Sequence, residues 1–409
     1  MHVLFVHPNF PGQFRRLAAA LNKEPGVHIH TLGDESRMPA FALPGANRLS
    51  YPEPEPAGEA THSYIQGFEA GVRRGQKVVL ALLAHKLRGF DPDVIYVHTG
   101  WGDALYLKDI FPNAKIIGLF EYYYHPRGAD VGFDPEFPLT FDDIFRVRTM
   151  NTLQHYALEA CDIRLTATEW QKSRYPAAYR HQLECLHEGV DTDRIRPDAA
   201  ATFTLANGVV VKAGDEVLTF VSRSLEPCRG FHCLMRALPG IMRNRPHCQI
   251  VIVGQDEPHY SPAPKEAETW RAQYVNELKG RIDSSRLHFT GTLAFDDYLK
   301  VLQVSRVHVY LTYPFILSWS MLEAMSAGCL VLGSDTPPVQ EVITDGYNGI
   351  LFPFFDTDAL VNMATDALAQ PHNYHSVRET ARITMQTRYD FNSVIYPQHL
   401  ALLSRLREQ

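Results

Sequence analysis

Short apolar runs alternate with longer segments whose apolar residues recur every three or four positions, and the alternation persists along most of the chain. The run 2–7 is halted by Pro8 and Gly12, after which Phe14, Leu17, Ala18 and Leu21 fall at helical spacing over 13–22. This predicts a strand, a glycine turn and a helix. Further strands are predicted at 27–32, 94–97, 115–120 and 163–166, with helices over 67–88 and 149–160. After a turn-rich linker, 196–213, a second alternation predicts strands at 217–222, 249–253, 287–289, 307–312 and 330–333. Its helices are predicted at 231–243, 267–281, 296–303 and 318–327, and two more, 357–369 and 376 to the end, follow with no strand between them. Strands that alternate with helices predict parallel sheets covered on both faces, an α/β fold of two Rossmann-like domains facing a central cleft. The expected domains are 1–205 and 206–380, with a C-terminal helix in 381–409 returning to the first domain.

Composition narrows the class of function. A chain of 409 residues with 45% hydrophobic content suits two or three folded domains. A formal net charge of −7 and the lack of any run of five basic residues argue against nucleic acid as a partner. The cluster Arg73, Arg74 and Lys77, with Lys86 and Arg88 beyond it, reads as a solvated helix face. Six cysteines are scattered without a Cys-x-x-Cys pair, so neither a zinc site nor a disulfide framework is expected, and a reducing cytoplasm is the expected compartment. No stretch reaches the length of a membrane-spanning helix, which leaves peripheral membrane contact open. The histidines show no metal-ligand spacing, and no metal is expected.

Candidate chemistry gathers where predicted strands end. Ser318 opens a helix closed by Gly328, and the unpaired N–H groups of that helix N-terminus offer a seat for a diphosphate, with Phe315, Ile316, Leu317, Ser318 and Trp319 as the expected donor-binding residues. Glu323 lies about one and a half turns in, where a carboxylate can accept from two ribose hydroxyls. Arg223 and Arg229 flank the turn that opens the first helix of the second domain, and paired guanidinium groups suit the charge that grows on a departing pyrophosphate. A surface ion pair of either arginine with Glu226 is the plainer alternative. In the first domain, Glu121 ends a strand and begins a long aromatic loop, 121–143, containing Tyr122, Tyr123, Tyr124 and His125. His98 and Trp101 begin another turn, and this aromatic group is the expected acceptor site.

These segments carry a resemblance. Ser-Arg223-x-x-Glu-Pro-x-Arg229-Gly, Gly254 after a strand, Phe289-Thr-Gly-Thr292-Leu293, Leu-Glu323-Ala-Met-x-x-Gly, Ser334-Asp335 and Asp345-Gly-Tyr-Asn-Gly349 together resemble the GT-B retaining glycosyltransferases of family 4, also known as glycosyl transferases group 1. The first domain matches through the Gly12 loop and His187-Glu-Gly-Val-Asp191. The resemblance implies a UDP- or GDP-sugar as co-substrate with no other cofactor. It also implies a glycan, lipid-linked or small-molecule acceptor, donor diphosphate on Arg223 and Arg229, ribose on Glu323 and the base beside Thr292 and Leu293. One departure matters: the family's first glutamate, eight residues before Glu323, is here Phe315. Glu121 is the expected substitute at the reacting sugar. The alternatives are a nucleotide-sugar epimerase of the same fold, or a non-catalytic sugar-nucleotide-binding subunit.

Overall fold

The computed structural model describes residues 1–38 and 43–407. The chain divides into two compact units, one of residues 1–189 with 391–409 and one of residues 190–390.

The first unit is built on a seven-stranded, all-parallel sheet. Its strands are β1 (His2–Val6), β2 (His28–Asp34), β3 (Asn47–Tyr51), β4 (Val94–His98), β5 (Lys115–Leu119), β6 (Ile163–Thr166) and β7 (Leu183–Cys185), in the order β3-β2-β1-β4-β5-β6-β7. Central strands such as β1 and β4 are buried on both faces, which is why they read as continuous apolar runs. The apolar pattern missed β3 and β7, because Asn47-Arg-Leu-Ser-Tyr51 alternates at a sheet edge and β7 is three residues long. One face of the sheet is completed by Phe391, Ile395, Leu402, Leu403 and Leu406, packed in one cluster with Val3, Phe5, Leu17 and Leu186.

The second unit carries a six-stranded parallel sheet of β10 (Val217–Ser224), β11 (Gln249–Gln255), β12 (Leu287–Gly291), β13 (Val307–Tyr310), β14 (Leu330–Ser334) and β15 (Ile350–Phe352). Its order is β12-β11-β10-β13-β14-β15. The predicted linker holds a small antiparallel hairpin of β8 (Thr202–Thr204) and β9 (Val210–Lys212).

Three expectations need correction. The unit boundary falls at 189/190 instead of 205/206, because Val190 and Ile195 join the core around Met321 and Met325, and Ala201 and Leu205 join another with Val251. The return begins at 391 instead of 381, since Ala381, Met385 and Tyr389 still belong to the core of the second unit. The basic cluster of helix Gln66–Lys86 is not wholly solvated, for Arg74 is buried. Its Nη1 donates to Tyr51 Oη at 3.3 Å and lies 3.6 Å from Asp34 Oδ2, while Tyr51 Oη donates to Asp103 Oδ1 at 3.0 Å. Arg73 and Lys77 pair with Glu69 and Glu55 near the surface, as a solvated face requires.

The aromatic loop is irregular up to residue 140. Helix Phe141–Met150 begins there because Thr140 Oγ1 accepts from Asp143 N at 3.2 Å, while the Asp143 carboxylate accepts from Thr140 N at 3.1 Å.

Candidate active site

In the first unit, β1, β4 and β5 lie side by side and each delivers a polar side chain at its carboxyl end: His7, His98 and Glu121. The carboxyl end of a parallel sheet is where this architecture places ligands. Two hydrogen-bond chains converge on Glu121. Asn9 N donates to His7 Nδ1 at 2.9 Å, so His7 donates through Nε2 to Gln13 Oε1 at 2.8 Å. Gln13 Nε2 then donates to Glu121 Oε1 at 2.8 Å. On the other side Gly100 N donates to His98 Nδ1 at 3.1 Å, and His98 Nε2 donates to Glu121 Oε2 at 3.2 Å. Both carboxylate oxygens therefore receive a donor. Burial acts to raise the Glu121 pKa, but the hydrogen bond and electrostatic pull of His98, with the hydrogen bond from Gln13, outweigh it and hold the carboxyl below its usual range. Burial pushes the His7 imidazole down to about 3, so His7 serves this chain as a neutral donor. Gly12 is required by the geometry: at φ +45° a Cβ there would stand 2.3 Å from His7 Nε2.

Glu188 approaches the same group from the end of β7. Burial, assisted by the charge of Glu121, pushes its carboxyl up to about 7 against the pull of its own backbone amide and of Arg16. Between its ordinary value of 4.5 and about 7 the folded protein binds this proton and the unfolded chain does not, so the group's contribution to stability falls as pH rises through that window. Glu188→Gln is therefore expected to flatten the decline of melting temperature with pH over this range, relative to the parent protein. Parallel profiles for the two proteins would reject the assignment.

The expected acceptor residues separate. Trp101 is 38% exposed and stacks on His98 with ring centroids 4.1 Å apart and planes at 20°. Tyr124 lines an open cavity beside Trp101. Tyr122 is buried with its hydroxyl on Asp130 Oδ1 at 2.9 Å, Tyr123 bonds His155 Nε2 at 2.9 Å and packs against the core, and His125 Nε2 meets Arg174 O at 2.6 Å. These three side chains are engaged in holding the loop.

In the second unit the two arginines have unlike surroundings. Arg223 is exposed at the carboxyl end of β10. Arg229 is buried, and its Nη1 donates to Thr312 Oγ1 at 3.0 Å and to Ile316 O at 2.7 Å. Its guanidinium lies 5.3 Å from the Tyr260 ring centroid and 5.4 Å from that of Phe315, a cation between two aromatic faces. Burial opposes the charge of Arg229, yet its electronegative neighbours hold its pKa above the ordinary value. Glu226, the expected surface partner, is buried instead. Its Oε2 accepts from the backbone N–H groups of His259, Tyr260 and Ser261 at 3.3, 3.0 and 2.7 Å, which fixes Tyr260 over Arg229.

Beyond Arg229 the chain runs through half-buried Ile316 and Leu317 to Ser318, which caps helix Trp319–Ala327; Ser318 N donates to Tyr310 Oη at 2.7 Å. Glu323 is buried in that helix and its Oε2 accepts from Tyr298 Oη at 2.7 Å. Gly254 lies near the end of β11, where a Cβ would meet Ser222 O at 2.7 Å, so glycine lets this strand approach the end of β10 beside Arg223. Thr292 is exposed and Leu293 half-buried just past β12.

Sequence reasoning passed over His7, Gln13, Tyr260 and Tyr298, and read Glu226 only as a surface partner of the arginines. His7 carried the same signal that singled out Glu121, a polar residue at the end of an apolar strand run. Tyr260 and Tyr298 carried none.

A family model for the glycosyl transferase family 4 group matches residues 25–195, and one for glycosyl transferases group 1 matches residues 215–370. The chain belongs to the family 4, group 1 glycosyltransferases. Among relatives of this glycosyltransferase, the GDP-mannose-dependent alpha-(1-6)-phosphatidylinositol monomannoside mannosyltransferase of Mycobacterium tuberculosis is 29% identical over 161 residues, 39% of this chain and 38% of that protein. The phosphatidyl-myo-inositol mannosyltransferase of Mycolicibacterium smegmatis is 29% identical over 191 residues, 45% of this chain and 44% of the relative. The chain thus spans less than half the length of these two curated relatives. A sucrose-phosphate synthase from Thermosynechococcus elongatus superposes with TM-score 0.74 at 18% identity, covering 100% of this chain and 99% of that one. The Anabaena protein HepE, solved in complex with UDP and glucose, superposes with TM-score 0.66 at 18% identity, covering 99% and 100%. These likenesses show the GT-B fold.

Proposed function

We propose that this chain is a retaining glycosyltransferase that moves a sugar from a UDP- or GDP-sugar to a hydroxyl acceptor. The observation that carries the reading is the second-unit constellation: a capped helix N-terminus at Ser318, buried Glu323 in that helix, Arg223 at the carboxyl end of β10 and Arg229 on the turn after it. The helix terminus and the arginines suit a diphosphate, and Glu323 suits the ribose. Related structures bind UDP and UDP-glucose, and relatives are named for GDP-mannose, which supports a nucleotide-sugar donor and leaves the base open.

In the proposed reaction the bond from the anomeric carbon to the diphosphate oxygen breaks and its electron pair leaves with the nucleoside diphosphate. The acceptor oxygen forms the new bond on the same face, and its proton passes to the released diphosphate or to water. Arg223 and the Ser318 helix terminus offset the charge on the leaving group without assigning that task to a metal. Glu121, ionised and aimed by His98 and Gln13, lies on the first unit as the carboxylate that faces the positive charge of the transition state or holds a donor hydroxyl.

Phe315 favours a second reading, a binding-only subunit, because it replaces a carboxylate with an apolar ring packed on Arg229. The fully bonded Glu121 carboxylate supports catalysis over that alternative.

Glu323→Gln is expected to weaken free UDP or GDP and the intact donor by a similar factor. Loss of one charge-assisted hydrogen bond costs about 1.5–3 kcal/mol. Calorimetry that finds unchanged nucleotide affinity in a folded variant would reject the ribose assignment.

A further inference from the structure

The first unit holds a cavity of about 410 Å³ beside Trp101, within the size range of small-molecule sites. It is bounded by the first half of helix Gln66–Lys86, the Gly100–Trp101 turn, Tyr124 and helix Phe141–Met150. Its walls include Phe68, Trp101, Tyr124, Met150 and Leu153.

Several polar groups at its edge are already occupied. Tyr64 Oη donates to Asp142, and Thr149 Oγ1 donates to Tyr64 O at 2.8 Å. Arg74 is bound to Tyr51 and faces Asp34. A polyhydroxylated body would lose water there and find few partners, whereas an apolar body would not.

One cation at the edge is weakly engaged. Arg146 is 46% exposed, 4.0 Å from Asp143, and its Nη1 meets the sulfur of Met150 at 3.7 Å. Trp101 also lines the cavity, and its indole stacks on His98, the residue that donates to Glu121.

We propose that this cavity seats the acceptor, and that the acceptor is an anionic amphiphile. Its apolar body lies against Phe68, Trp101 and Met150, its phosphate, sulfate or carboxylate meets Arg146, and its hydroxyl is directed past Trp101 toward Glu121. The assignment rests on the glycosyltransferase reading and adds the class of acceptor to it.

Gly67 supplies the test. It lines the cavity from a helix, and a Cβ built there has no atom within 4 Å, so Gly67→Leu adds an isobutyl group to this wall from a position where the first carbon meets no neighbour. Binding of n-octyl phosphate below its micelle concentration is measured by calorimetry, with inorganic phosphate and n-octyl glucoside as comparisons and UDP and GDP titrated in parallel. Octyl phosphate is expected to bind at least tenfold more tightly than either comparison. Gly67→Leu should weaken it at least tenfold and Arg146→Ala several-fold, with nucleotide affinity unchanged in both variants. Equal affinity of the parent and Gly67→Leu for octyl phosphate, or octyl glucoside binding as tightly as octyl phosphate, overturns the proposal. Nucleotide binding without octyl phosphate binding overturns the cavity assignment alone. Absence of all nucleotide binding overturns the glycosyltransferase reading and the acceptor assignment with it.

Discussion

Glu121→Gln is expected to lower turnover by roughly 10²–10³-fold while UDP or GDP still binds, the scale of removing one preorganised electrostatic contact. The argument is geometric. Both oxygens of Glu121 accept hydrogen bonds, from Gln13 Nε2 and His98 Nε2, so the carboxylate is held ionised in one orientation before any substrate arrives. An amide has one accepting oxygen, so its NH2 must face one of those donors and the charge is lost. If Glu121 only braces the strand ends, the same variant would melt at lower temperature and keep nearly all its turnover per folded molecule. His98→Asn separates orientation from charge, since it should leave the carboxylate in place and cost less than Glu121→Gln. Turnover measured at saturating donor, beside nucleotide affinity from calorimetry, decides between these outcomes, and unchanged turnover in Glu121→Gln would remove it from the reacting centre.

Arg223→Ala and Arg229→Ala are expected to fail in different ways, although their spacing presents them as a matched pair. Arg223 is exposed, so its removal should leave the melting temperature unchanged and reduce turnover roughly 10²–10³-fold through lost stabilisation of the departing diphosphate. Arg229 is buried and ties Thr312 and Ile316 together beneath two aromatic rings. Its removal leaves Ile316 O without a charged donor and a gap between Tyr260 and Phe315. Charged hydrogen bonds of this kind contribute about 1.5–3 kcal/mol each. The variant should therefore melt earlier and bind nucleotide more weakly, because the loop that precedes the Ser318 cap is no longer held. Equal stability of the two variants would show that the buried contacts do not anchor this loop.

Much of the fold was legible because parallel strands buried on both faces leave unbroken apolar runs, as in Val94–His98 and Leu330–Ser334. Edge strands such as Asn47–Tyr51 are half wet and left no such trace. The unit boundary was misplaced because 190–205 looks like a linker by its turn residues, while its few apolar side chains settle the matter by packing. In the site, the residues on strand ends and at the helix cap could be found from position alone. What position could not supply was which side chains are engaged within the protein. Tyr122, Tyr123 and His125 stand in the aromatic loop expected to bind an acceptor, and their polar atoms bond within the protein. Glu226 looked like a surface partner for arginine and proved to be the anchor of the loop carrying Tyr260.

The first sheet depends on residues 391–407 for one of its covering layers, so it is finished by the part of the chain that leaves the ribosome late. Until Leu402, Leu403 and Leu406 arrive, Val3, Phe5 and Leu17 have an open apolar flank, although every strand of that sheet has already been made. Residues 1–189 expressed alone would keep every strand of this sheet and expose the apolar flank that 391–407 cover, a surface open to association with other chains. The first unit is therefore discontinuous in sequence, its strands lying within 1–189 and part of its apolar cover arriving only after the whole of 190–390.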